Sequence, residues 1–149
     1  MSDETTPLQT GASPIETPAP LSDAAEVLFR QIHPDLFDGD QPASSAFLPS
    51  PGDQDQLSTD RSSLTTAKDA YELYVGNSRK SVGTFGVTVG EFGEQGLSCF
   101  ADPVCSGGTI TANPAHARVD FGSLGTNQQR KVAKRLKKAA VSRGILHRP

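Results

Sequence analysis

Between Ser81 and Phe92 the chain alternates with period two: Phe85, Val87, Val89 and Glu91 fall on one face, Thr84, Gly86, Thr88 and Gly90 on the other. This alternation predicts a strand over 82–92. The repeated glycines on one face would let a packed helix or a ligand approach closely, and a pocket beside Gly83, Gly86 and Gly90 would favour an enzyme. A second strand is predicted over His116 to Phe121, bounded by Pro114 and Gly122. Period 3.6 appears twice. Ala67, Ala70, Tyr71 and Tyr74, preceded by Thr65 or Thr66 as N-cap, predict a helix over 66–75. Thr126, as N-cap, opens a second helix over 126–143, closed by Gly144 at the expected C-terminal position.

Other segments are less decided. Val27, Leu28, Phe29 and Ile32 follow Ser22 and Asp23, which have N-cap chemistry, and stop before Pro34. So short an apolar stretch fits a helix or a buried strand equally. Residues 34–62 are broken by Pro34, Gly39, Pro42, Pro49, Pro51 and Gly52, with apolar islands at Leu36-Phe37, Ala46-Phe47-Leu48 and Leu57. They read as a long ordered loop packed against something. Residues 1–20 hold Pro7, Pro14, Pro18 and Pro20 among small and acidic residues, and predict a disordered leader. The expected fold is α+β: one domain over 21–149, a small antiparallel sheet flanked by helices and ending in a basic C-terminal helix.

Composition tightens this picture. Only 35% of the 149 residues are hydrophobic, and 14 Gly and 11 Pro imply a small core with long loops. No apolar run is long enough to span a bilayer, and the start Met1-Ser2-Asp3-Glu4 does not resemble a secretory signal, so a cytoplasmic location is expected. Cys99 and Cys105 are then free thiols; the gap between them is wider than a zinc-binding pair uses, and no metal site is read.

Charge is segregated along the chain. Residues 1–76 carry thirteen acidic and three basic side chains, net −10, whereas residues 77–149 carry four acidic and eleven basic ones, net +7. On a helical projection of 126–143, Val132, Ala133, Leu136, Ala139 and Ala140 form a narrow apolar side. Arg130, Lys131, Lys134, Arg135, Lys137 and Lys138 cover the opposite arc. Such an arc suits phosphates, and its binding would depend steeply on salt. Three partners fit it: nucleic acid, an acidic protein, or the acidic half of this chain, within one molecule or between two. The apolar side is too small to insert into lipid, so no membrane partner is expected.

A mechanism would draw on Arg30, His33, Ser44, Ser45, Arg61, Glu91, His116 and Asp120, although no spacing ties them together and no nucleophile elbow or phosphate loop occurs. The segment Leu28-Phe29-Arg30-Gln31-Ile32-His33-Pro34, followed by Ser44-Ser45-Ala46-Phe47 and Leu57-Ser58, resembles a pattern in small uncharacterised bacterial proteins. Its order of Arg, Ser and a later Glu is also distantly similar to that of ADP-ribosyltransferases. That resemblance implies a cofactor, NAD, with Arg30 on a phosphate, Ser45 bracing the nicotinamide pocket and Glu91 stabilising a ribosyl cation. The chain departs from the pattern in having Ser44-Ser45-Ala46 where Ser-Thr-Ser is usual, and Val89 where a Glu or Gln companion precedes the glutamate. Two functions are therefore expected in competition. One is a cytoplasmic interaction or accessory protein that needs no cofactor and contacts an anionic partner through its basic helix. The other is a small NAD-consuming enzyme built on Arg30, His33, Ser45 and Glu91.

Overall fold

The computed structural model describes residues 19–50, 52–105 and 111–149. The expected disordered leader falls almost wholly on 1–18, outside the described residues. Among these residues seven strands and three helices follow in order: β1 (Val27–Gln31), β2 (Phe37–Asp38), β3 (Gln41–Pro42), β4 (Gln56–Arg61), α1 (Ala67–Gly76), β5 (Thr84–Thr88), α2 (Val89–Glu94), β6 (Ser98–Ala101), β7 (His116–Asp120) and α3 (Thr126–Arg143). Two 3-10 turns, Pro34–Leu36 and Ser44–Phe47, flank the small β2–β3 hairpin. The main sheet is antiparallel, in the order β5-β1-β4-β7-β6, so the fold is α+β as the pattern implies.

Register decides which side chains meet. Strands β4 and β7 pair from Gln56↔Asp120 to Asp60↔His116, placing Leu57 and Val119 on one face and Asp60 and His116 on the other. Strands β1 and β5 pair over five positions, whereas β1 and β4 pair only at Leu28↔Arg61 and Phe29↔Asp60. The core lies on the first face. Leu28, Ile32, Leu57, Phe85, Val87, Cys99 and Val119 pack with Val132, Ala133, Leu136 and Ala140 of α3 and with Phe47. Each large side chain buried in this way contributes about 1.5–3 kcal/mol of transfer free energy. Helix α1 packs against β1 and β5.

Val27–Gln31, which the pattern left open between helix and strand, is a strand: β4 and β5 flank it in the sheet and supply its hydrogen bonds. Three other elements differ from the sequence expectation. The 34–62 stretch is not one loop: it contains β2, β3, both 3-10 turns and the central strand β4. The 82–92 strand ends at Thr88. There the Thr88 hydroxyl accepts from the Glu91 N–H at 3.1 Å and the Glu91 carboxylate accepts from the Thr88 N–H at 2.9 Å, a reciprocal cap that starts α2. β6, for which no pattern predicted a strand, pairs with β7 from Ser98↔Asp120 to Ala101↔Ala117. Helix α3 keeps the predicted span, but Gly125 is its N-cap and Thr126 its first helical residue.

The glycine face of β5 holds no cleft. At Gly86 an added Cβ would stand 2.5 Å from Val27 Cγ1 and 2.7 Å from Leu146 Cδ1, and at Gly83 it would stand 2.5 Å from Ile145 Cδ1. The glycines admit the chain's own C-terminal segment, which turns back after Gly144 (φ 92°) and bridges Thr84 to His147.

Candidate functional site

Polar side chains concentrate on two surfaces, one on the outer arc of α3 and one beneath α1. Burial of Val132, Ala133, Leu136 and Ala140 fixes the orientation of α3 and turns Arg130, Lys131, Lys134, Arg135 and Lys138 to solvent, with Lys137 half-buried. Arg135 donates to the Gln95 side chain at 3.2 Å. Arg130, Lys131, Lys134, Lys137 and Lys138 pair with no carboxylate among the described residues. Lys134, Lys137 and Lys138 border a wide hollow completed by Val141, Ser142, Gln41 and Ser44, with no acidic residue in its lining.

The second surface is a cleft of about 170 Å³ between α1 and the sheet, where β1 and β4 part after two paired positions. Its walls include Phe29, Arg30, Gln31, Asp60, Tyr74, Arg79, Asn113 and His116. Arg30 reaches into the split: its Nε donates to the Ala46 carbonyl at 2.8 Å and its Nη1 to the Ser58 carbonyl at 3.0 Å. Burial lowers the pKa of this guanidinium, and Tyr74 and Asp53 oppose the shift; it remains a cation. Asn113 Nδ2 donates to Asp60 Oδ1 at 2.7 Å. Burial pushes the Asp60 carboxyl above its ordinary value, held back by the Asn113 hydrogen bond and by His116. His116 Nδ1 lies 2.9 Å from the Asp102 carbonyl oxygen and 3.3 Å from Asp102 Oδ2. Arg79 sits over the Tyr74 ring, 5.6 Å from its centroid.

The four residues of the enzyme reading do not share one cavity. Arg30 lines the cleft, whereas His33, Ser45 and Glu91 do not. His33 accepts from the Asp35 N–H at 3.0 Å and caps a 3-10 turn. Ser45 belongs to the Ser44–Phe47 turn, where its carbonyl accepts from Leu48. Glu91 caps α2 and forms a two-pronged ion pair with Arg143, at 2.9 and 3.0 Å. Burial alone would raise the Glu91 carboxyl, but hydrogen bonds from Arg143 and Thr88 outweigh it and hold its pKa below the ordinary 4.5. A carboxyl depressed by folding adds stability above its unfolded pKa and loses it as the pH falls through the lower folded value. Glu91→Gln is therefore expected to cost about 1 kcal/mol at neutral pH and less in acid, measured by urea unfolding at both.

His116 is the one member of the cleft's acid–base group that sequence reading singled out as chemically able. Asp60, Asn113 and Asp102 were missed, because Asn113 reaches Asp60 across 53 positions and a loop brings Asp102 to His116 across 14. Cys99 is buried in the core with its thiol pushed up to about 12, by burial and then by the charge of Glu26, and Cys105 is exposed; both are free. No helix among the described residues is long and apolar enough to cross a membrane. No protein-family model matches the chain, and no curated protein or solved structure is significantly similar to it.

Proposed function

We propose that this chain is a cytoplasmic accessory protein that holds nucleic acid, through its phosphates, against the outer arc of α3. The observation that carries the reading is the convergence of Lys134, Lys137 and Lys138 on one hollow with Ser44 and Gln41 and no carboxylate. The helix is docked along its apolar side, so the cations stand on an element whose backbone is already ordered when phosphates arrive. Ser44 and Gln41 add neutral hydrogen-bonding groups that position a backbone without reading bases. The arc contains no aromatic side chain, which favours contact with a duplex backbone over stacking of single-stranded bases.

Binding of a labelled RNA duplex and a labelled DNA duplex across a salt series tests this reading. Wild type is expected to bind at low salt with a steep log–log dependence. Changing Lys131, Lys134, Lys137 and Lys138 together to Gln is expected to flatten that slope by about 3 to 4 units. Absence of binding at low salt, or an unchanged slope in the variant, overturns the proposal and directs attention to an acidic protein or to self-association.

A further inference from the structure

We propose that the cleft beneath α1 is a second site, for a compact oxyanion such as the phosphate or carboxylate group of a small molecule. In it Arg30 and Arg79 supply the charge, and Asp60 and His116 exchange a proton with the bound group.

Charge balance supports an anion, since two guanidiniums line the cleft against the single carboxyl of Asp60. Arg30 spends Nε and Nη1 on two carbonyls, and its Nη2 donates to nothing among the described residues. The wall also contains an unpaired donor. Gln31 is only 7% exposed. Its Oε1 accepts from Ser81 Oγ at 2.9 Å and Thr84 Oγ1 at 3.0 Å, while its Nε2 is buried without a partner among the described residues. A buried donor left unpaired costs about 1–3 kcal/mol, a cost relieved where a ligand brings the acceptor.

The acid–base pair follows from geometry. A backbone carbonyl only accepts, so the 2.9 Å contact to the Asp102 oxygen requires the hydrogen of His116 to sit on Nδ1. In the neutral ring the lone pair is therefore on Nε2. The Asp102 carboxylate lies 3.3 Å from the same Nδ1. Asp60 is the register partner of His116, so both side chains leave the sheet on the same face. Asn113 occupies Asp60 Oδ1, and Oδ2 remains to carry a proton toward a ligand. Size sets the class: about 170 Å³ admits one small group flanked by Phe29, Leu73 and the Tyr74 ring, not a nucleotide or a peptide helix.

The test uses the ¹⁵N-labelled full chain titrated with sodium phosphate and, separately, with sodium acetate, followed by NMR at the His116 ring and the Asn113 side-chain amide. Saturable shifts are expected at both positions, and the anion that saturates at lower concentration identifies the head group. Arg79 is exposed, so Arg79→Gln keeps the fold and is expected to weaken binding about tenfold. The α3 quadruple Gln variant is expected to bind the anion as wild type does, which separates this site from the polyanion surface. Acetate stays ionised at neutral and higher pH, so its affinity reports the protein's own protons. Asp60 is faced by His116 and Asn113, by Arg30 from β1, and by Tyr74 and Arg79 from the α1 side, with Asp102 behind the imidazole. Acetate binding is expected to weaken as pH rises, and less so in Asp60→Asn, which keeps a donor and removes the titration. Overturning results are a lack of saturable shifts with either anion, equal affinity in Arg79→Gln, or a wild-type acetate affinity independent of pH.

Discussion

Replacing Glu26 with Gln is expected to lower the unfolding free energy by about 3 kcal/mol or more. The Glu26 side chain is 3% exposed, and its carboxylate accepts four hydrogen bonds: from Arg61 Nε and Nη2, each at 3.1 Å, from the Ser63 N–H at 3.2 Å and from Ser63 Oγ at 2.6 Å. Burial by itself would raise this carboxyl, and the bonds from Arg61 and Ser63 reverse the shift, leaving its pKa below the ordinary 4.5. Gln keeps the shape but removes the charge, and leaves the Arg61 guanidinium partly buried with no counter-ion. Urea unfolding at neutral pH reads the loss as a lower midpoint with an unchanged slope. The sign with pH is fixed. Glu26 contributes in full above the pKa of the unfolded chain, and its contribution fades as the pH falls through the lower folded value. Wild type and Glu26→Gln should therefore converge in acid. Removing both partners, as Glu26→Gln with Arg61→Leu, is expected to cost less than the sum of the single changes, because neither charge is then left alone.

Phe47→Ala is expected to cost about 3–5 kcal/mol, the usual loss when a fully buried aromatic ring leaves a cavity. Phe47 closes the Ser44–Phe47 turn, is 0% exposed and packs in the core with α3. Its effect should extend past stability. The same turn carries Ser44, beside the α3 lysines, and the Ala46 carbonyl that accepts from Arg30 Nε. Loss of the ring thus loosens the basic hollow and the floor of the cleft together. Phe47→Leu, which retains most of the volume, should cost less and leave the NMR signal of Arg30 Nε in place. A midpoint for Phe47→Ala within 1 kcal/mol of wild type would show that the turn is held by other contacts.

Helix α3 and strand β7 were legible in the sequence because local pattern governs them. In α3 the apolar stripe and the cationic arc both repeat with the helix period, and Gly144 marks the end. The capping signature Thr88-Val89-Gly90-Glu91 was also present, but period-two alternation of Val87 and Val89 ran across it and masked the turn into α2. Strand β4 was hidden for a more instructive reason. Gln56, Ser58 and Asp60 form its second face, so Leu57 is its only large apolar residue, and that polar face reaches the cleft. The residues that equip the site are the ones that erase the hydrophobic signal of the strand carrying them. The basic surface could be foreseen from one helix, whereas the Asp60–Asn113–His116–Asp102 group exists only after three distant segments have been brought into register.

Strand β5 is outermost in its sheet, and an outermost strand ordinarily offers its free backbone groups to any passing chain. Here four of those groups are occupied. The Thr84 N–H donates to the His147 carbonyl at 3.0 Å, and the Thr84 carbonyl accepts from Leu146 at 2.8 Å. The Gly86 carbonyl accepts from Arg143 at 2.9 Å, and the Thr88 N–H donates to Glu91. The last turn of α3 and the residues after it therefore act as a seal against strand addition by a second copy. A chain trimmed after α3 would keep its cationic arc and its core, yet present an apolar, Gly-bearing border on which its own copies could template aggregates.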